Sequence, residues 1–422
     1  MMNFQAFMTK YLTIYNKSSW TEIKGMKKKS TKIIAVIAAV IIILALSVYF
    51  TVFAGVKVNK VSEGVYETEV FTSTNQKFND WFLKYIFSGN PGGCSAVAKT
   101  LENGDTIVGR NMDFYVSNKP AFVVRTKEKG KYATVGIAYY DQFIPDADVV
   151  EKKGVPRVIY SMLPMFCQDV MNDQGLYVEV NMRYSEYDSM GELMFTDTHT
   201  NPKSEVRKCI AGINNQLCQN CATVKEAVEY VKNLDIYSPQ SDEMQWNFCY
   251  LLADATGDYG LLEVADDKVS FLDKQQIQTN FYVTEEFYEK QRMKCGVGRY
   301  DLLKAGIDDV NSENDMFNLI DSVSYAQSYD YKTCNFDARS EYIGENPGWD
   351  YYYVIDEDNQ DEVNKYLDEV AETYNSMNRQ ELKDDGTYWE SSFTTIANCS
   401  EKTMRVRFYE DDANVINLGF EK

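Results

Sequence analysis

Histidine is almost missing from this chain: His199 is the only one in 422 residues. It sits in FTDTHTNPKSE, a run that reads as a solvent-facing turn ahead of a helix. A cysteine–histidine or serine–histidine–aspartate arrangement therefore has weak support, and any nucleophile must find its base elsewhere. Cysteine is also sparse, nine in all. That is too few for a disulfide-built scaffold, and the odd count leaves at least one thiol of a monomer unpaired. The CQNC pair, Cys218 and Cys221, has no second pair to complete a zinc site and reads as half-buried thiols at a helix junction. Positive charge is scarce beyond the N-terminal stretch. Residues 1–93 carry eleven Lys, no Arg and five Asp or Glu, so the net −20 divides into +6 there and −26 over residues 94–422. Such a body repels phosphate backbones, which argues against a nucleic-acid partner.

What is present is a globular composition, 45% hydrophobic and 14% aromatic, enough for one large domain or two ordinary ones. Residues 33–56, IIAVIAAVIIILALSVYFTVFAGV, are uncharged and exceed the roughly 20 residues a helix needs to span a bilayer. They follow the basic segment 1–32, whose MKKKSTK flank places the remainder of the chain on the outer face. Met26 opens a plausible export signal, and Val52-Phe53-Ala54 is an acceptable cleavage site. The expectation is a single-pass cell-membrane protein with its body outside, or one secreted after cleavage. Residues 57–93 read as a polar connector or propeptide, and residues 94–422 as the functional domain.

Beyond the connector, PAFVVRT, KYATVGIAYY, PRVIYSM, GLYVEVNMRY, FCYLLAD, GLLEVA and KVSFL read as strands. Residues 203–218 and the run from Thr223 read as a helical hairpin, with Thr223 as N-cap and Glu226 completing a capping box. Two more helices follow, GRYDLLKAGIDD and one capped by Ser312. Residues 336–390 read as an acidic, tyrosine-rich excursion with one helix. SSFTTIA and KTMRVRFYE close the chain as a hairpin. The order suggests a layered α+β domain with a largely antiparallel core.

The stretch NPGGCSAVAKTLENGDTIVGRNMDF, residues 90–114, carries the chemistry. Reading Asn103-Gly104 as a two-residue type I′ turn makes opposed residues sum to 207, which places Asp113 across from Cys94. A cysteine after two glycines can supply its own base. If the Gly93–Cys94 bond is cut, Cys94 carries both a thiol and an α-amine, whose pKa lies near 7.7 to 8. Gly92 and Gly93 leave the attacked carbonyl unobstructed.

These residues resemble the start of the mature choloylglycine hydrolase family, the linear amide hydrolases that include conjugated bile acid hydrolases and penicillin V acylases. Cys94 and GRNMDF match that family's processed cysteine and its GRNxDF element. MNDQGLYVEVN, LADATGDYGLLEV, IQTNFYVTEEF and GVGRYDLLKAG match later motifs in order. The resemblance implies a four-layer αββα sandwich of the N-terminal nucleophile type and a linear-amide hydrolase acting through a thioester. It implies Cys94 as nucleophile, Arg110 favouring the thiolate, Asp113 orienting the amine, Asn280 donating to the oxyanion and Arg299 completing the charged cluster. It offers Asn181 as a second oxyanion or positioning residue, although the family's polar residue falls one place later, at Met182, on the opposite face of the strand. Arg110 and Asp113, three apart, can both reach Cys94 only if the strand breaks near Asn111.

No cofactor or metal is implied. The expected partner is a small N-acyl amide, with the membrane engaged through residues 33–56 before processing and a homo-oligomer left open. The rival readings are an acyltransferase on the same scaffold and a surface binding protein that has kept only the fold. Freeing the Cys94 amine would also sever the only covalent link to the apolar run, so activation is expected to release the body.

Overall fold

The computed structural model describes residues 54–70, 93–115, 119–139, 144–183, 194–195, 199–238, 247–291, 296–324, 342–344, 352–354 and 389–420. Two sheets dominate it. Their strands, in chain order, are β1 (Asn59–Ser62), β2 (Val65–Val70), β3 (Gly93–Thr100), β4 (Thr106–Tyr115), β5 (Ala121–Thr126), β6 (Thr134–Ala138), β7 (Cys167–Asn172), β8 (Tyr177–Arg183), β9 (Asn247–Ala253), β10 (Tyr259–Ala265), β11 (Lys268–Asp273), β12 (Ile277–Gln278), β13 (Trp389–Asn398), β14 (Thr403–Phe408) and β15 (Val415–Gly419). The nine-stranded sheet runs β11-β10-β9-β8-β7-β6-β5-β2-β1, and the six-stranded sheet runs β12-β3-β4-β13-β14-β15. Neighbours pair antiparallel except β2 and β5, which are parallel from Val65↔Ala121 to Val70↔Thr126.

The two sheets face each other. One apolar cluster draws Cys94, Ala96, Ala98, Val108, Met112 and Phe393 from the smaller sheet and Val65, Val123, Val135, Met171, Tyr177 and Leu251 from the larger. Strand alternation sends Val97, Ile107 and Ile396 to the other face of the smaller sheet. There they pack under Leu303, Met316 and Ile320 of two helices, Val297–Gly306 and Glu313–Asp321. On the outer face of the larger sheet, the helix Ile213–Asn220 is tied down by the Asn172 side chain, which donates to the Cys218 and Cys221 carbonyls at 2.7 Å each. The result is helix, sheet, sheet, helix: the four layers expected.

Several local expectations hold. Thr223 accepts from the Glu226 amide, Ser312 caps its helix by accepting from Asp315, and the closing hairpin pairs Phe393–Asn398 with Thr403–Phe408. Others do not. PRVIYSM contains a helix, Arg157–Met162, rather than a strand; short apolar runs carry no decisive period. Within 203–218, Arg207–Cys209 is a strand parallel to Asp235–Tyr237. The helix starts only at Ile213, because Gly212 takes φ +81° and interrupts any earlier turn. Cys218 and Cys221 are fully buried free thiols, not half-buried ones.

The boundary expected at residue 94 also moves. The supposed connector contributes β1 and β2 to the larger sheet, and one compact unit comprises Gly55–Val155 with Ile159–Lys422. Met1–Ala54 with Pro156–Val158 forms the other unit, in which the Arg157 amide donates to the Ala54 carbonyl. Residues 1–53, including the basic segment and most of the apolar run 33–56, lie outside the described residues. Gly55 and Val56 form a two-residue strand, so a helix cannot run to 56. Among the described residues no helix is long and apolar enough to cross a membrane. The helix expected within 336–390 also lies outside them, while Tyr342–Gly344 and Tyr352–Val354 pair antiparallel.

Candidate active site

The β3–β4 hairpin sets the site. Its register sums to 206 rather than 207: Cys94 stands opposite Met112, and Asp113 opposite Gly93. The turn is the cause. Gly104 has φ +92° but Asn103 is not in the left-handed region, and the Leu101 amide bonds to the Asp105 carbonyl across a three-residue loop. A type I′ turn needs both central residues at positive φ. That geometry occurs instead at Asp266 and Asp267, between β10 and β11.

The one-residue shift separates the charged partners onto two faces. Arg110 and Met112 share the inner face with Cys94. Arg110 Nη2 lies 3.6 Å from Cys94 Sγ and 3.1 Å from Met112 Sδ, and it donates to the Val180 carbonyl at 3.2 Å. Asp113 lies on the outer face under the Gly93 backbone. A Cβ at Gly93 would sit 3.2 Å from Asp113 Cβ and 3.4 Å from its Oδ2, so a side chain there would press on Asp113, whereas glycine leaves that space and the carbonyl open. No break in β4 brings the two together. The irregularity is in the neighbouring strand, between Ser391 and Phe393, and it carries Ser391 over Asp113, to which its hydroxyl donates.

The backbone of Cys94 is held from both sides. Its N–H donates to Asn280 Oδ1 at 2.9 Å, and its carbonyl accepts from Arg299 Nη1 at 2.8 Å. Arg299 also donates to Ser95 Oγ and Asn280 Oδ1 and lies 3.7 Å from Asp113 Oδ2. Gly296 makes this geometry possible: with φ +84° it starts the helix bearing Arg299, and a Cβ there would meet the guanidinium and Thr279 at 2.8 Å. The structure thus places Asn280 differently from the expected oxyanion donor. Its oxygen takes the Cys94 N–H, and its Nδ2 is committed to the Met182 carbonyl at 2.8 Å. Asn181, of the same parity on β8 as Tyr177 and Glu179, faces inward and donates to the Thr279 carbonyl at 3.3 Å. Met182 presents its backbone carbonyl rather than a polar side chain.

Burial governs the electrostatics. It pushes the Cys94 thiol up to about 11 against the pull of Arg110, so the thiol of the uncut chain is protonated at neutral pH. It pushes Asp113 up to about 6, opposed by Arg299 and the Ser391 hydrogen bond. Burial also works against the charge of Arg110, but Asp169 at 3.3 Å and Glu179 at 3.8 Å hold it cationic, its pKa above the ordinary value.

Sequence reasoning missed Ser391, Asp169, Glu179 and Gln278. Gln278 is wholly buried, stands opposite Ala96 on the inner face two residues from Cys94, and leaves both amide atoms without a partner among the described residues. Its one sequence signal is its place two residues before Asn280. His199, by contrast, is partly exposed and bonds Asp235 at 2.8 Å, outside this cluster. Among the described residues no group of acidic, histidine or cysteine side chains is arranged to hold a metal.

The family model described as linear amide C–N hydrolases, choloylglycine hydrolase family, matches residues 94–293. Among solved structures, the chain is similar to penicillin V acylase from Agrobacterium tumefaciens, with 15% identity over 78% of this chain and 86% of that one and a TM-score of 0.44. It is also similar to a mutant of the conjugated bile acid hydrolase from Clostridium perfringens, with 12% identity over 78% and 92% and a TM-score of 0.40. No curated protein matches the sequence.

Proposed function

We propose, from the match of residues 94–293 to the family model of linear amide C–N hydrolases, choloylglycine hydrolase family, that Cys94 is the nucleophile and its own α-amine the base. The observation that carries this reading is the pairing at one residue of a buried thiol beside the Arg110 guanidinium with a backbone nitrogen seated on Asn280. The amine must first be freed. Cys94 Sγ adds to the Gly93 carbonyl carbon, and the C–N bond breaks towards nitrogen, which takes the thiol proton. Water then hydrolyses the Gly93 thioester to a carboxylate and a free thiol.

The new Gly93 carboxylate lies against Asp113, and two like charges at that distance repel. The cut end is therefore driven from the site, and the amine remains over Asp113 and Asn280. In turnover the amine takes the thiol proton as Sγ adds to a linear amide carbonyl, and passes it to the leaving amine. A thioester forms, and water releases the acid by the reverse proton path. Arg110 favours the thiolate, Arg299 holds the Cys94 backbone, and the unpartnered Gln278 amide is available to the substrate. The substrates in view are N-acyl compounds of the bile-salt, penicillin V or N-acyl amino acid type.

The test is to incubate purified protein with a panel of these amides while following released amine, and to identify the thioester on Cys94 by mass spectrometry after rapid acid quench. Cys94→Ala should be inactive yet folded by circular dichroism. Turnover close to wild type in that variant would remove Cys94 from the reaction.

A further inference from the structure

The strand that precedes the cut site is built into the enzyme. β2 pairs with β5 over six residues, and Val65, Tyr66, Thr68 and Val70 are buried there. Val65 belongs to the apolar cluster between the two sheets. Tyr66 packs on Phe122 with ring centroids 5.9 Å apart and donates to Glu151 at 2.9 Å. Glu67 pairs with Arg125 at 2.7 Å. The preceding turn is tied to the far end of the chain. The Gly64 carbonyl accepts from the Ala121 amide and the Tyr409 hydroxyl, the Glu63 carbonyl accepts from Asn414 Nδ2, and the Ser62 hydroxyl bonds Asn414 Oδ1. None of these contacts depends on a covalent link between Val70 and Gly93.

We infer that cutting the chain at Gly93–Cys94 does not release the N-terminal piece: residues 55–70 stay in the sheet, and the mature enzyme is two fragments of one chain held together by β2. This rests on the free-amine reading of Cys94 and reverses the expectation that activation frees the body. Three features carry it. A parallel strand anchored on its partner keeps its hydrogen bonds when a distant loop is cut. Loss of the strand would expose the backbone edge of β5 together with the apolar residues that pack on β2. Expulsion of the Gly93 carboxylate acts only on the end of the fragment, beyond the residues that are anchored. Any membrane-inserted segment upstream of residue 55 would then tether the active enzyme without a peptide bond to Cys94.

The experiment uses two preparations of the full chain with a C-terminal affinity tag. The first is wild type, captured under native conditions and analysed by denaturing intact-mass spectrometry. The expected result is two equimolar species, one starting at Cys94 and one ending at Gly93. The second is Cys94→Ala, unable to cut itself, with a site-specific protease sequence inserted between Val70 and Gly93. After cleavage and native size-exclusion chromatography, the piece carrying residues 55–70 should co-elute with the tagged body and separate from it only in denaturant. If either cut piece is lost while the body keeps its circular dichroism, or if a species starting at Cys94 is active alone, the two-fragment enzyme is overturned. Active wild-type chain left intact would overturn the free-amine reading and the natural two-fragment state together. Retention of the piece after the engineered cut is measured in every case.

Discussion

At the residue scale, the site is a set of side chains whose partners are decided by which face of a strand they occupy. Asp113 lies on the outer face beside Ser391, so under the proposed mechanism, in which Asp113 orients the Cys94 amine, Ser391 should set its titration. The Ser391 hydroxyl donates to the charged carboxylate and lowers its pKa. In Ser391→Ala that support is gone, and the acid limb of the kcat/KM profile, which follows ionisation of Asp113, should move to higher pH. An unmoved limb with a lowered melting temperature would make the pair structural only. Gln278 offers the opposite case. Among the described residues its buried amide has no hydrogen-bond partner, and a group in that state costs about 1–3 kcal/mol. Gln278→Leu should therefore fold at least as stably as wild type by thermal melting, while KM rises about tenfold, the size expected from one lost hydrogen bond to substrate. A lowered melting temperature with unchanged KM would remove Gln278 from the binding site.

At the element scale, the helix Val297–Gly306 brings Arg299 to the Cys94 backbone, and its start depends on a glycine. Gly296 holds φ +84°, and a methyl group there meets the Arg299 guanidinium at 2.8 Å. Gly296→Ala should destabilise the fold by about 1 kcal/mol or more, and it should lower kcat further than that loss explains, because the helix start and Arg299 shift together. Arg299→Lys separates the two effects. It keeps the charge but loses the forked contacts to Cys94, Ser95 and Asn280, so kcat should fall at least about tenfold with little change in melting temperature. Equal rates for Arg299→Lys and wild type would show that charge alone suffices. The hairpin β3–β4 shows how much of an element can be read and where reading stops. The hairpin was legible from Asn103-Gly104. The register was not, because one residue's φ separates a two-residue turn from a three-residue one, and that dihedral answers to packing around both strands.

At the scale of the molecule, the low-dielectric interior holds ionisable groups on both faces of the smaller sheet: Glu179 in the space between the sheets and Asp113 on the outer face. Burial raises Glu179 to about 8 and Asp113 to about 6, in each case above the ordinary carboxylate value. For such groups the folded state binds the proton more tightly than the unfolded chain. Their contribution to stability is complete below the ordinary value and is lost as pH rises through the raised one. The melting temperature should accordingly fall as pH rises through about 6 and then about 8. Glu179→Gln should abolish the upper part of that fall, so that its melting temperature exceeds that of wild type at about pH 9 by more than at about pH 5. A constant offset between the two curves would mean that Glu179 does not titrate in the fold.

The sequence by itself determined the layered α+β order, the caps at Thr223 and Ser312, the cysteine behind its glycines and the ordered motifs containing Arg110, Asp113, Asn181, Asn280 and Arg299. Each of these is written in local pattern or in contiguous residues. Only the tertiary structure decided that Arg110 and Asp113 approach Cys94 from opposite faces, that Asn280 accepts from its nitrogen, and that Asp169 and Glu179 hold Arg110 beside the thiol. Only the tertiary structure likewise made residues 59–70 part of the larger sheet. KVSEGVYETEV alternates too weakly to declare itself a strand; Val65–Val70 pair with β5, more than fifty residues further along the chain, and the Gly64 carbonyl just ahead of them accepts from Tyr409, more than three hundred residues further along. Long-range pairing is settled by the surface available after the rest of the chain has folded, and a linear pattern does not contain that surface.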